Sequence, residues 1–164
     1  MAHKELLLKD TVYQEMKRRI INCEMMPGAP VYEDQLSGEF NISRTPIREA
    51  LMQLQRERLV EIYARKGIFV TEIRLKDIHE IYQMRLILEP QAALIVYPTL
   101  SHDNLKDFRN RFIENNPDKH SFRLNFLVDR EFHDFIIEST QNTYMIEFYR
   151  RLLDLNQRIR ILSG

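Results

Sequence analysis

Val12, Met16 and Ile20 recur at four-residue intervals with Tyr13 beside them, which predicts an amphipathic helix from about Leu7 to Cys23. "MMPGAPVY" stops it: Pro27-Gly28 makes a turn, and Pro30 keeps the helix from resuming at once. Leu36 and Phe40 mark the inner side of a short helix over Glu33–Phe40. "NIS" is a tight connection. A third helix starts near Ser43, a good N-cap, tolerates Pro46 in its first turn, and runs to about Arg56. Its apolar stripe is Ile47, Ala50, Leu51 and Leu54, while Arg44, Thr45, Arg48 and Met52 lie on a different face. The period then drops to two. "LVEIYARKGIFVTEI" alternates on both sides of "ARKG", predicting a two-stranded hairpin with Gly67 at the turn. From Leu75 onward every pattern is helical. Leu75 to Tyr97 is interrupted by Pro90, expected to kink it, and ended by Pro98. Ser101 caps a helix to about Glu114, "NNPDKH" is a loop, and helices follow over Asp118–Ser139 and Asn142–Ile161. The seam between the halves is the short polar linker near Ile73 to Lys76.

Composition narrows the class. With 164 residues, 44% of them apolar and 29% charged, the chain is soluble and globular and has room for one ordinary domain or two small ones. No apolar run approaches membrane-spanning length, and "MAHKELLLKD" is a poor signal peptide. A single cysteine, Cys23, excludes an internal disulfide framework and makes a reducing cytoplasm the natural compartment. Cys23 reads as a packing residue near a helix end rather than a reactive thiol. The net charge is zero, which argues mildly against nucleic acid. The distribution softens that objection. Between Arg44 and Lys66 six basic residues (Arg44, Arg48, Arg56, Arg58, Arg65, Lys66) face three acidic ones (Glu49, Glu57, Glu61).

Arg44 and Arg48 pose a choice between a solvated charged face and a helix built to lie against an acidic polymer. The layout favours the second. A short helix and a three-residue connection precede this helix, the arrangement of a helix-turn-helix. Ser43, Arg44, Thr45 and Arg48 gather at its N-terminal end, the end that a recognition helix inserts into the major groove and where the helix dipole favours phosphate. A hairpin tipped by Arg65-Lys66-Gly67 follows directly, suited to the backbone or minor groove as a wing. Over residues 10 to 72, "GAPVYEDQLSGEFNISRTPIREALMQLQRERLVEIYARKGIFV" resembles the winged-helix DNA-binding domain of the GntR family of bacterial transcription regulators. The resemblance implies DNA contacts from Ser43, Arg44, Thr45 and Arg48, with the wing tip near Arg65, Lys66 and Gly67, and a homodimer on a palindromic double-stranded operator. There are departures. Asp34 stands where some relatives carry a DNA-contacting arginine, and phosphate would repel it, so it is expected to face away or to lower affinity. Arg58 stands where the family ends the helix with glycine, so a different ending is expected.

The second half carries its own oddities. Phe122, Phe126, Asp129, His133 and Ile136 share one helical face, which puts an aspartate and a histidine inside an apolar stripe. They read either as a satisfied pair, the carboxylate orienting the imidazole, or as part of a metal site. Arg85 follows Ile78, Ile81 and Tyr82 with Glu89 one turn on. It reads either as an Arg85–Glu89 intrahelical pair or as a buried guanidinium facing a pocket for a carboxylate ligand. "MRLILEPQAA" followed by "DREFHDFIIESTQN" resembles the all-helical FCD effector-binding domain of the FadR-like branch, over about residues 74 to 161. That resemblance implies Asp129 and His133 as ligands of a divalent metal, zinc or nickel, beneath a pocket for a small organic acid, with Arg85 near it. The family supplies two further histidines from later helices, whereas no histidine follows His133 here; His120 precedes the motif, at the expected loop end of its helix, and His79 and His102 match no family role. The domain therefore reads as truncated by about two helices, and its metal site as incomplete.

The expected fold class is mostly α: an N-terminal winged helix-turn-helix with a small β-hairpin over residues 1–73, then an incomplete all-α bundle over 74–164 for effector binding and dimerisation. The expected function is a cytoplasmic DNA-binding regulator, not an enzyme and not a membrane protein. The alternative is a truncated regulator that binds DNA or dimerises but has lost metal and effector sensing. A metal-dependent enzyme on Asp129 and His133 has no nucleophile elbow, phosphate loop or third ligand to support it.

Overall fold

The computed structural model describes residues 2–114 and 122–163, with side chains for 8–114 and 127–163. The expected loop "NNPDKH", His120, the start of a helix at Asp118 and the side chains of Phe122 and Phe126 lie outside the described residues. In chain order the elements are α1 (Ala2–Ile21), β1 (Pro30–Val31), α2 (Glu33–Phe40), α3 (Arg44–Arg56), β2 (Val60–Tyr63), β3 (Gly67–Val70), α4 (Leu75–Val96), α5 (His102–Glu114), α6 (Phe122–Ser139) and α7 (Thr143–Ser163). The chain is thus mostly α with one small antiparallel sheet, a winged helix-turn-helix followed by a helical domain. No helix among the described residues is long and apolar enough to cross a membrane. Met1–His79 together with Leu153–Gly164 form one compact unit, and Glu80–Leu152 form another. The linker near Ile73–Lys76 falls inside the first unit, and the last turns of α7 join it.

In the first unit the apolar stripes meet in one core. Val12, Met16 and Ile20 of α1 pack with Leu36 of α2, Ile47, Ala50, Leu51 and Leu54 of α3, and Leu59, Val60 and Val70. Burial of these side chains, at roughly 1.5–3 kcal/mol for each one larger than alanine, is the main favourable term. The sheet has three strands in the order β1-β3-β2, one more than the hairpin alone. β1 pairs Pro30 with Phe69 and Val31 with Ile68. Proline is tolerated there because β1 is an edge strand, where a missing N–H breaks no ladder bond.

Helix ends in this unit use left-handed residues. α1 stops at Ile21, and Cys23 lies beyond it at φ 54°. Its neighbour Glu24 donates its N–H to the Arg19 carbonyl at 2.9 Å, closing the last turn. The helix expected to reach Cys23 therefore ends sooner. Asn41 (φ 53°) closes α2 in the same manner. Arg58 closes α3 at φ 60°, with Leu59 N–H donating to the Leu54 carbonyl at 2.9 Å. So α3 ends in the conformation a glycine would adopt, and arginine carries the strain.

The last turns of α7 are tied to α1 and to the end of β3. Lys17 Nζ lies 2.8 Å from Glu57 and 2.8 Å from Asp154, and Tyr13 donates its hydroxyl to Glu57 at 2.6 Å. Gln157 Nε2 donates to Asn22 Oδ1 at 2.8 Å. Arg158, only 1% exposed, donates through Nη2 to the Thr71 carbonyl at 2.5 Å.

In the second unit Ile81, Ala92 and Val96 of α4, Val128, Ile136 and Ile137 of α6, and Tyr149 and Leu152 of α7 are buried. Phe108 of α5 lies 5.3 Å from both Phe132 and Phe135 of α6, ring centre to ring centre. Pro90 sits on the exposed side of α4, where water can satisfy the carbonyl it deprives of a partner.

Candidate nucleic-acid interface and the buried cluster of the helical unit

The first turn of α3 carries Arg44, Thr45 and Pro46, of which the arginine and threonine are exposed and Pro46 is buried. The proline loses no hydrogen bond here, because the first amides of a helix have no intrahelical partner. Ser43 takes the N-cap position with extended backbone (φ −68°, ψ 164°), yet its hydroxyl makes no capping bond. Ser43, Arg44, Thr45 and Arg48 therefore present side chains and open helix amides together at one exposed helix end, which suits an anion.

Both arginines have acidic partners from the first turn of α2. Arg44 Nη2 lies 2.7 Å from Asp34 Oδ1. Arg48 donates through Nε to Glu33 Oε1 at 2.9 Å and through Nη2 to Glu33 Oε2 at 3.1 Å. Asp34, expected either to face away or to lower affinity, does not turn away from the start of α3: it faces Arg44. The reason is local, since the turn between α2 and α3 brings the start of each helix to the same side. The local charge is accordingly less basic than a count from Arg44 to Lys66 suggests.

At the wing, Tyr63 pairs with Gly67, and the chain turns through Ala64, Arg65 and Lys66. Lys66 N–H donates to the Tyr63 carbonyl at 3.1 Å, and Arg65 is left-handed (φ 64°). Gly67 is therefore the first residue of β3 rather than the turn itself. Its own φ of 115° is one that L side chains rarely adopt. Arg65, Lys66 and Gly67 are all exposed.

In the helical unit two of the expected site residues, Arg85 and His133, meet at Glu89, and Asp129 lies beside His133. Its Oε1 accepts from Arg85 Nε at 2.5 Å and from the Tyr149 hydroxyl at 2.7 Å. Its Oε2 lies 3.2 Å from His133 Nδ1, and His133 Nε2 lies 3.4 Å from Asp129 Oδ1. Arg85 is 9% exposed and lies over the Tyr82 ring at 5.6 Å. Burial alone would weaken its proton affinity, but the bond to Glu89 more than restores it, so the guanidinium stays charged. Burial and then the Glu89 bond push the Tyr149 phenol well above its ordinary value. Neither Tyr149 nor the hub role of Glu89 was visible in the sequence. Tyr149 is 60 residues from its partner, beyond the reach of any periodicity.

This cluster does not by itself fit a zinc or nickel ion. Among the described residues no three His, Cys, Asp or Glu side chains are grouped to hold a metal. The two carboxylates near His133 address different ring nitrogens, so they cannot join one nitrogen on a single ion. The arrangement is a line of close contacts from Asp129 through His133 to Glu89, not a chelate.

A short helix, a tight turn, a helix with its donors gathered at the exposed N-terminus, and a sheet with a basic hairpin tip together define a winged helix-turn-helix, a DNA-binding module. Comparison with known proteins agrees. The family "Bacterial regulatory proteins, gntR family" matches residues 8–70, and the "FCD domain" matches residues 80–164. The chain belongs to the gntR family of bacterial regulatory proteins and carries an FCD domain. It is 29% identical over 158 residues to the uncharacterised HTH-type transcriptional regulator YdhC of Bacillus subtilis, covering 92% of this chain and 69% of that protein. It is 29% identical over 160 residues to the gluconate operon transcriptional repressor of Bacillus licheniformis, covering 91% of this chain and 62% of that one. A solved GntR-type structure from Rhodococcus sp. RHA1 shares the fold, with a TM-score of 0.73 at 21% identity over 94% of this chain and 74% of the other. The relatives are transcription regulators, not enzymes, and DNA is the partner this family binds.

Proposed function

We propose that this regulator binds a palindromic operator as a homodimer in the cytoplasm. Residues 1–73 act as the DNA-binding domain and 74–164 as the domain for effector and dimer contacts. Ser43, Arg44, Thr45 and Arg48 enter the major groove, and Arg65, Lys66 and Gly67 follow the backbone or minor groove. The observation that carries the reading is the gathering of four exposed polar side chains at the N-terminus of α3, beside a basic hairpin. Arginine can grip guanine O6 and N7 with two hydrogen bonds, and lysine neutralises phosphate. The test is fluorescence anisotropy of a labelled random-sequence duplex across a salt series. Lys66→Ala is expected to lower the slope of log affinity against log salt by about 1. An unchanged slope removes the wing from the contact.

For the helical domain we propose that a small organic acid is sensed near Arg85, the acid taking the place of the Glu89 carboxylate on the guanidinium. The divalent metal implied for Asp129 and His133 would need donors beyond this cluster. The alternative, a regulator that binds DNA or dimerises without metal or effector sensing, draws support from the same geometry. Arg85 is already neutralised by Glu89, and both His133 nitrogens already face carboxylates. A panel of organic acids in thermal melts separates the two. An acid that raises the melting temperature of the wild type but not of Arg85→Met supports sensing, and a panel without effect supports the alternative.

A further inference from the structure

We propose that Glu33 is a positioning residue for DNA readout: it fixes the plane of the Arg48 guanidinium so that its outer edge reads a base rather than gripping phosphate. This rests on the reading of Arg48 as a DNA contact and adds a residue from a different helix to it. Glu33 opens α2, and its side chain is only 24% exposed, whereas that of Arg48 is 60% exposed. The two carboxylate oxygens take Nε and Nη2 at 2.9 and 3.1 Å. A single bond would leave the ion free to swivel, whereas two parallel bonds hold a planar ion in one orientation. The fork uses the Nε proton and one Nη2 proton. The second Nη2 proton and one Nη1 proton form the outer edge, side by side. That edge matches the paired acceptors O6 and N7 of guanine in the major groove.

An exposed arginine with no such support meets phosphate as readily as base, and phosphate contacts carry no sequence information. An acid at this place also lowers affinity for every duplex, because it opposes neutralisation of phosphate. What it returns is selectivity. Asp34 provides the internal contrast. Its pair with Arg44 is one contact of 2.7 Å between side chains 73% and 59% exposed. Such a pair is weak and does not set a plane.

The test is selection from a random-sequence duplex pool, followed by sequencing of the bound fraction. The wild type, Arg48→Ala, Glu33→Gln, Glu33→Ala and Asp34→Asn are compared, each shown folded by its thermal melt. The wild type is expected to enrich a motif with a guanine that Arg48→Ala no longer selects. Glu33→Gln and Glu33→Ala are expected to lose preference for that same guanine by roughly five- to ten-fold, a modest share of what a bidentate contact provides. Both should bind unselected pool DNA as well as the wild type or better. Asp34→Asn removes the same charge one residue away and is expected to keep the guanine preference. If the Glu33 variants select the guanine as strongly as the wild type, or if Asp34→Asn loses it equally, the positioning role is overturned while the DNA contact of Arg48 stands. If Arg48→Ala enriches the wild-type motif unchanged, or no motif is enriched at all, the reading of Arg48 fails and the inference falls with it.

Discussion

Replacing Glu89 by alanine is expected to damage the helical unit far more than a surface change would. The carboxylate is the shared acceptor for Arg85 Nε at 2.5 Å and the Tyr149 hydroxyl at 2.7 Å, and it faces His133 Nδ1 at 3.2 Å. The side chains of Arg85 and Glu89 are 10% and 19% exposed, so solvent screens the pair little. Removing one partner of a buried pair costs about 3–5 kcal/mol, because the remaining charge is left uncompensated. The fully buried Tyr149 hydroxyl loses its acceptor as well, at roughly 1–3 kcal/mol, though water entering the vacated space offsets part of this. A net loss of about 4 kcal/mol corresponds to a fall of roughly 10 °C in melting temperature for a chain of this size. Glu89→Gln keeps an acceptor for Tyr149 and loses only the charge, so it should cost clearly less. Arg85→Met combined with Glu89→Ala should cost less than the sum of the single changes, since the two act as one unit. The assay is thermal unfolding followed by circular dichroism, with urea unfolding as a check on the magnitude. A Glu89→Ala variant that melts within about 2 °C of the wild type would refute the argument, because on this size of chain such a shift is worth no more than about 1 kcal/mol.

Arg58→Gly is expected to stabilise the first unit by about 0.5–1 kcal/mol, since glycine accepts φ 60° without a Cβ clash and loses part of that gain to a freer unfolded chain. Urea midpoints measure it, and a destabilised variant would mean that the Arg58 side chain makes a contact that outweighs the strain. The Glu15 carboxyl is held down to about 2 by hydrogen bonds from Arg18 and then Arg19, below its ordinary value of 4.5. A carboxyl depressed in the folded state contributes stability above its unfolded value and loses it as pH falls. The carboxyl carbon signal of Glu15 should therefore titrate well below pH 4.5 in the folded protein, and a midpoint at 4.5 would show that these exposed pairs do not persist in solution.

The helices were legible because burial imposes a period on them. Val12, Met16 and Ile20, and Ile47, Ala50, Leu51 and Leu54, are the core residues that the pattern marked. β1 was not legible: two residues, one of them proline, carry no period. The end of α1 was misplaced because Cys23 is buried like a helical residue while standing in a left-handed turn. On the candidate interface, the residue types at the start of α3 and at the wing could be read, since they are local in sequence. Their pairing with Glu33 and Asp34 could not, because Glu33 and Arg48 are 15 residues apart and only the tight turn brings them together. The same holds in the helical unit. Asp129 and His133 share a helix and were seen as a pair, whereas Glu89, which decides what they can do, comes from another helix.

The proposed DNA contact lies at the exposed end of α3, so the most direct measurement is the affinity of wild type and Arg48→Ala for two duplexes, one enriched from a random pool by the wild type and one unselected, at matched salt. The expected result is a loss of about 1–3 kcal/mol on the enriched duplex and little on the unselected one. An equal loss on both would reduce Arg48 to a phosphate contact, and no loss on either would place the DNA-binding surface elsewhere on the chain.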